Sequence, residues 1–136
     1  MTQSDAVTQS NAELLRTAYE SFATGDVPAV LAIFSEDITF HIPGDNPISG
    51  DYTGHDEVTG FFQTLGERSN GTFSIDVHDI LDNGDDTVVA LVTHNAQRDA
   101  DELAMPAVHV WRFMDGKATS HDSFVADDHE SDRFWS

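Results

Sequence analysis

"VHVWRFMDGKATSHDSF", residues 108–124, is the stretch that decides the fold. Two runs with alternating side chains flank the pair Asp115-Gly116, and Asp-Gly between such runs is one of the strongest short-range signals for a β-hairpin. Because side chains alternate along a strand, His109 and Trp111 share one face of the first run. The stretch therefore predicts an antiparallel hairpin that places polar groups on an otherwise apolar face.

The neighbouring segments extend this hairpin into a sheet. Its first strand is predicted to begin at residue 102, and two more runs of strand character, 72–81 and 87–97, come before it. Turns rich in Asp, Asn and Gly separate these runs. An isolated earlier strand is predicted over 38–42, where Ile38, Phe40 and Ile42 alternate with polar residues. The segment 43–54, rich in Gly and Pro, is predicted to be a loop.

Helical spacing is found in the first half of the chain. Ser10 and Glu13 fit a capping box that begins a helix, and Gly25 ends it. Asp26 is predicted to cap a second helix, whose apolar face extends to Phe34. A third helix is predicted over 55–68.

Three helices with one early strand, followed by an antiparallel meander, predict an α+β domain. We expect one domain over 1–136, with 1–9 as a polar, frayed tail and 127–135 as a final helical turn that covers the body. The long strands are predicted to curl into a cone-shaped sheet, a half-open barrel covered by the N-terminal helices.

Charge is the most unusual feature of the composition. The net charge is −19, with 25 Asp and Glu against 6 Lys and Arg. Such a surface repels phosphates and anionic lipids, so nucleic acid and membrane are not expected as partners. The alternatives are an acidic protein of ordinary habitat and one adapted to high salt. The N-terminus lacks the pattern of a secretion signal, and we expect a cytoplasmic location.

Three stretches resemble one known family: 18–37, 40–58 and 108–124. They are similar to the SnoaL-like branch of the nuclear transport factor 2-like, or cystatin-like, superfamily, which includes polyketide cyclases and ketosteroid isomerases. The resemblance implies the cone-shaped fold and a cavity for a small apolar molecule. It does not fix the reaction, because members of this family differ in chemistry and some only bind.

The positions of the family's acid–base residues match this chain only in part. The general base of the isomerases falls on Ile42, which cannot accept a proton, and their oxyanion-side acid falls on His109. The aspartate of the polyketide cyclases falls on Ser123, with Asp122 beside it on the opposite face. The resemblance thus points to His109 as a base or hydrogen-bond donor, and the alternative is a hydrogen-bonded core histidine.

Further candidates follow from parity and from the resemblance. His41 ends the early strand and belongs either to the pocket mouth or to an ordinary strand end. The predicted catalytic set is His109, His41, Ser123 and Asp122. The predicted pocket set is Tyr19, Phe40, Ile42, Phe62, His94, Ala107 and Trp111. No metal motif or nucleotide-binding glycine motif is present, so we expect no metal and no cofactor.

Two classes of function remain open at this point. One is cofactor-free isomerase, cyclase or hydratase chemistry on a small oxygen-bearing molecule. The other is a ligand-binding or interaction module without chemistry. In both cases we expect a homodimer through the outer sheet face, where Val108, Val110 and Met114 form an apolar set.

Overall fold

Within residues 9–136, which the computed structural model describes, there are four helices and six strands. The predicted tail, 1–9, lies outside the described residues except for Gln9. The helices are α1 (Asn11–Ala23), α2 (Val27–Leu31), α3 (Gly54–Arg68) and α4 (Asp128–Trp135). The strands are β1 (Phe34–Ile42), β2 (Gly50–Thr53), β3 (Ser74–Asp82), β4 (Thr87–Arg98), β5 (Asp101–Met114) and β6 (Lys117–Val125).

All six strands belong to one curved, unclosed sheet in the order β2-β1-β6-β5-β4-β3. Neighbouring strands are antiparallel, except that β1 runs parallel to β6. The parallel pair joins the early strand to the last strand of the meander and brings residues 34–41 beside residues 118–122. The predicted α+β fold with a curved sheet is confirmed.

The hairpin of β5 and β6 forms as the sequence predicts. Asp115 and Gly116 both have positive φ, 51° and 76°, as a tight two-residue turn requires. Inward positions of β5 are at most 6% exposed from Leu103 to Phe113, whereas Met114 at the outer face is 68% exposed. His109 and Trp111 lie on the inner face, opposite Ser123 and His121 of β6.

The helices cover the inner face of the sheet. Helix α1 packs against β3 and β4, α3 against β1 and β2, and α4 against β5. The predicted capping box begins α1: the Ser10 hydroxyl accepts from the Glu13 N–H at 3.1 Å, and the Ser10 N–H donates to Glu13 Oε1 at 3.0 Å. In α4, Phe134 and Trp135 are 1% and 2% exposed, so this helix closes the body as predicted.

Two segments differ most from the prediction. Helix α2 ends at Leu31, before the predicted end of its apolar face. Phe34 begins β1 instead, because the chain joins the sheet at Ile33 and Phe34, beside Ala118 of β6. The predicted loop 43–54 contains the short strand β2, which pairs with β1 at the edge of the sheet. Its four residues show no apolar alternation, and for that reason the sequence pattern missed it.

No helix among residues 9–136 is long and apolar enough to cross a membrane.

Candidate functional site

A cavity of about 80 Å³ lies between the concave face of the sheet and the helices. Its wall is mainly aromatic and aliphatic, with polar groups concentrated on β4, β5 and β6. Of the predicted residues, those that border the cavity are Tyr19, Phe40, Ile42, Phe62, His94, His109, Trp111 and Ser123. Eight of the eleven predicted residues thus lie in the wall, which also contains many residues that were not predicted.

A chain of hydrogen bonds runs along one side of this cavity. The Trp111 Nε1–H donates to the Tyr19 hydroxyl at 3.0 Å. The Tyr19 hydroxyl is 2.7 Å from His109 Nδ1, and His109 Nε2 is 2.8 Å from His94 Nε2. One helix and two strands thus supply the hydrogen-bonded side chains: α1 gives the tyrosine, β5 gives the tryptophan and one histidine, and β4 gives the other histidine.

The direction of this chain follows from the donors that it contains. Indole is a donor only, so the Tyr19 oxygen accepts from Trp111. The Tyr19 proton then needs an acceptor, and His109 Nδ1 is the one within reach in the described part of the chain. With Nδ1 accepting, neutral His109 carries its proton on Nε2 and donates to His94. His94 in turn carries its proton on Nδ1, so the series of bonds ends in an N–H that has no partner among residues 9–136.

His121 is the cavity histidine, among residues 9–136, that sequence-based reasoning did not select. Its ring is 4% exposed, borders the cavity and stacks on Phe40 with centroids 4.3 Å apart. His109 and Trp111 contact it edge-on at 4.7 and 4.5 Å. Its Nδ1 is sealed from open space and has no hydrogen-bond partner among residues 9–136. The sequence signal that could have identified it is its position two residues before Ser123 on β6, which places the two side chains on the same face of the sheet.

The imidazoles of this cavity are uncharged at neutral pH. Burial lowers the pKa of His94 to about 4 and the pKa of His121 to about 3. Burial also lowers the pKa of His109 well below its usual range, and the neighbouring His121 and His94 lower it further. No Asp or Glu borders the cavity within the described chain, so nothing there would offset a positive imidazolium. Burial raises the pKa of the Tyr19 phenol, which stays protonated.

Two predicted catalytic residues lie outside the cavity. His41 is exposed, and its Nδ1 is 2.6 Å from Asp51 Oδ1 on the neighbouring edge strand. Strict alternation along β1 turns it away, because Phe40 and Ile42 on either side face inward. Asp122 precedes Ser123 on β6, so its side chain lies on the opposite, outer face of the sheet. The irregularity in the pairing of β5 with β6 lies between Arg112 and Phe113, too far away to turn the Asp122 side chain inward.

One predicted pocket residue also needs correction. Ala107 lies on the inner face and is 6% exposed, but it does not border the cavity. Its cross-strand neighbour Val125 borders the cavity instead.

Helix α4 and the segment after β1 form the roof of the cavity. Ser131 and Trp135 of α4 border it, together with Asn46. Asp132 Oδ1 accepts from the Asn46 side chain at 2.7 Å and from the Asp45 N–H at 2.9 Å. These bonds join the helix to the loop, so the two parts of the roof are held as one.

The far end of α4 is held by two arginines. The Arg98 Nη1 donates to the carbonyl oxygens of Phe134 and Ser136 at 2.5 and 2.9 Å, and the Arg68 Nε donates to Trp135 at 3.0 Å. Such bonds satisfy carbonyls that a helix end leaves without partners. The roof is thereby fixed at both ends.

Across residues 9–136, no group of three or more His, Cys, Asp or Glu side chains is arranged to hold a metal ion. The cavity histidines contact aromatic side chains and each other.

Comparison with known proteins places this geometry in a family. An uncharacterized protein of Mycobacterium tuberculosis is 26% identical over 123 residues, which cover 90% of this chain and 94% of the relative. The structure of Bal32a, from a soil-derived mobile gene cassette, superposes with a TM-score of 0.89 at 28% identity and covers 93% of this chain and 96% of that one. A protein of unknown function with a cystatin-like fold from Xanthomonas campestris gives a TM-score of 0.87 at 29% identity, with coverage of 93% and 98%.

The family model described as the SnoaL-like domain matches residues 15–121, which include most of α1, the sheet as far as His121 in β6 and all three cavity histidines. The curved sheet, the covering helices and this match agree with the resemblance of the three sequence stretches. The chain belongs to the SnoaL-like domain family.

Proposed function

We propose that this protein binds a small, largely apolar molecule that carries an oxygen, and that it catalyses cofactor-free proton transfer on that molecule. The observation that carries the proposal is the set of neutral, buried imidazoles in the wall of an apolar cavity. In such surroundings a hydrogen bond to a developing negative charge acts more strongly than it does in water.

The roles follow from the hydrogen bonds of each imidazole. Both ring nitrogens of His109 are engaged, one with Tyr19 and one with His94, so His109 is a positioning residue. The Nδ1–H at the end of the chain, on His94, is the donor for a substrate oxygen. His121 makes no hydrogen bond to the described residues and is the proton acceptor.

The step itself needs no further reactant. The C–H bond next to a carbonyl group breaks, and its proton moves to the lone pair of His121. The electron pair moves onto the carbonyl oxygen, which the N–H of His94 stabilises. Where a C=C bond is conjugated with the enolate, return of the proton from His121 to the far carbon of that bond gives an isomer; in a simple ketone the proton returns to the same carbon, and both routes restore the neutral imidazole.

Exchange of protons for deuterium in cyclopentanone tests this proposal. The ketone is incubated with the protein in D₂O, and the loss of its α-proton signal is followed by NMR. We expect the wild type to accelerate exchange and His121→Phe to lower the acceleration by about 100-fold or more, the usual contribution of a positioned base. His78→Phe replaces an exposed histidine outside the cavity and is the matched control. Equal rates in the wild type and in buffer would refute the catalytic proposal.

A ligand-binding protein without chemistry is the second candidate. The observation that favours it is Ile42, an apolar side chain in the cavity wall at the position where the resemblance places the isomerases' base. In that case cyclopentanone or a similar molecule binds, but its α-protons exchange no faster than in buffer.

We also propose that the chain forms one domain and pairs with a second copy through the outer sheet face. Leu91, Val108 and Phe124 form one row across β4, β5 and β6 on that face, and Phe124 is 55% exposed. An apolar row on a chain of net charge −19 is a surface suited to burial against its own symmetry mate. Phe124→Glu is expected to convert a dimer to a monomer in light scattering, whereas Met114→Glu, at the far end of the hairpin, is expected to have a smaller effect.

A further inference from the structure

Three phenylalanines border the cavity and are also reached by solvent. Phe22 lies in the last turn of α1, Phe62 in α3, and Phe73 in the segment between α3 and β3. Each ring is partly exposed, whereas most of the apolar wall is buried. The three rings therefore separate the cavity from solvent on the side of α1 and α3.

The contacts among these rings are edge-on and involve no hydrogen bond. The ring centroids of Phe22 and Phe62 are 5.2 Å apart at an interplanar angle of 64°. Those of Phe22 and Phe73 are 6.2 Å apart at 83°. Within residues 9–136, no hydrogen bond or ion pair joins α1 to α3. Ring contacts thus join the two helices at this point.

The roof also contains partly exposed residues, but its contacts are stronger. Asp132 Oδ1 accepts two hydrogen bonds from the loop, at 2.7 and 2.9 Å. Arg98 and Arg68 donate to carbonyl oxygens at the end of α4. Hydrogen bonds to or from a charged group are worth more than edge-on ring contacts. Separation of α1 from α3 therefore requires less free energy than separation of α4 from the loop.

Phe22 is the least constrained of the three rings. The Phe73 N–H donates to Ser69 Oγ at 3.1 Å, which fixes the backbone there, and Phe62 lies in the middle of α3. Phe22 comes one turn after Tyr19, and among residues 9–136 Tyr19 is the last side chain of α1 that is hydrogen-bonded to the sheet. The chain beyond Phe22, residues 23–26, is exposed.

We propose that Phe22, Phe62 and Phe73 form an aromatic gate through which a small apolar molecule enters the cavity, and that movement of Phe22 away from Phe62 opens it. The inference rests on the proposed function, because the gate serves the cavity as a binding site. The rings of Phe73 and His94 are in contact, with centroids 5.6 Å apart. A molecule that passes the gate therefore reaches the residue proposed as the donor for its oxygen, and Phe22 selects by width which molecules arrive there.

Xenon exchange tests the gate without any reaction. Xenon binds in dry apolar cavities, and exchange NMR gives the rates at which it enters and leaves. The chain contains no cysteine, so the double variant with Phe22→Cys and Phe62→Cys can be linked by a short bis-methanethiosulfonate reagent and released by a reductant. We expect the link to stop exchange of xenon with the cavity, and the reductant to restore it in the same sample.

The matched control links the roof instead. The double variant with Asn46→Cys and Asp132→Cys replaces the two side chains whose hydrogen bond joins the loop to α4. We expect xenon to exchange when this pair is linked. Exchange that stops only when the roof is linked would overturn the gate, and so would exchange that continues in both linked variants.

Phe22→Ala is a second test that needs no link. Loss of the two ring contacts should raise the exit rate of xenon by about tenfold. Leu81→Ala removes an exposed apolar side chain of β3 and should leave that rate unchanged. Equal exit rates in the wild type and Phe22→Ala, or no uptake of xenon by the wild type, would overturn the gate.

The gate and the proposed chemistry fail in different ways. If xenon exchange responds to the link as expected but cyclopentanone exchanges no deuterium, the chemistry is refuted and the gate stands. If cyclopentanone exchanges deuterium equally fast with the gate linked and released, the gate is refuted and the chemistry stands.

Discussion

Acidification is expected to destabilise this protein through its buried histidines, and His121→Phe should remove a defined part of the effect. In the unfolded chain a histidine has a pKa of about 6.5, whereas the pKa of folded His121 is about 3. Because the folded pKa is lowered, the unfolded state binds the proton first as pH falls. The contribution to stability is thus complete above pH 6.5 and is lost as pH decreases toward the folded value.

The magnitude can be worked out for pH 5. Each pH unit below 6.5 lowers the free energy of unfolding by about 1.4 kcal/mol for each histidine that stays neutral when folded. At pH 5 this amounts to about 2 kcal/mol for His121. His94, whose folded pKa is about 4, adds about the same amount, and the lowered pKa of His109 acts in the same direction.

The measurement is the free energy of unfolding from urea titrations at pH 8, 7, 6 and 5. The difference between pH 8 and pH 5 should be about 2 kcal/mol smaller in His121→Phe than in the wild type. The exposed His78→Phe variant is the control and should show the wild-type difference. If His121→Phe and the wild type lose stability equally on acidification, the imidazole of His121 is not held neutral in the folded protein, and the reasoning fails.

Four further predictions follow from the site and the surface. The deuterium exchange rate should be nearly independent of pH from about 5 to 8, because the pKa of the proposed base is about 3; a fall in rate below pH 7 would contradict the assignment. Gly44→Ala places a Cβ against Asp132 Oδ1 at a φ of 103° and should lower the free energy of unfolding by several kcal/mol. Gly84→Ala, at a φ of 78° with open space around the added Cβ, should lower it by about 1 kcal/mol in the same urea titrations. Arg98→Ala should speed amide exchange throughout α4, as measured by hydrogen–deuterium exchange, and Arg16→Ala on the exposed face of α1 should not. If the acidity reflects adaptation to salt, the melting temperature should rise between dilute buffer and molar salt, and an unchanged melting curve would remove that hypothesis.

Local patterns in the sequence specified the elements and their faces. The Asp115-Gly116 turn and the alternation around it predicted the hairpin and placed His109 and Trp111 on its inner face. Capping residues at Ser10 and Asp26 marked the starts of two helices. These predictions succeeded because each depends on residues close together in the chain, whose backbone preferences act locally.

The prediction of His41 as a site residue failed for a related reason. The sequence placed it beside Ile42, at the start of a rigid segment, but nothing nearby in the chain shows whether alternation continues to the end of a strand. Pairing with β2, which the pattern did not reveal, keeps β1 regular and leaves His41 beside Asp51 at the surface.

The contacts that make the site were decided by tertiary structure alone. His94 pairs across the sheet with Met105, four residues before His109, and in a flat sheet this offset separates the two backbones by about 13 Å. Curvature of β4 and β5 brings their Nε2 atoms to 2.8 Å, and α1 adds Tyr19 from far away in the chain. The sequence by itself therefore determined which side chains face the hollow. Only the bending of the sheet, a collective result of strand twist and helix packing, determined which of them touch and which one is left without a partner.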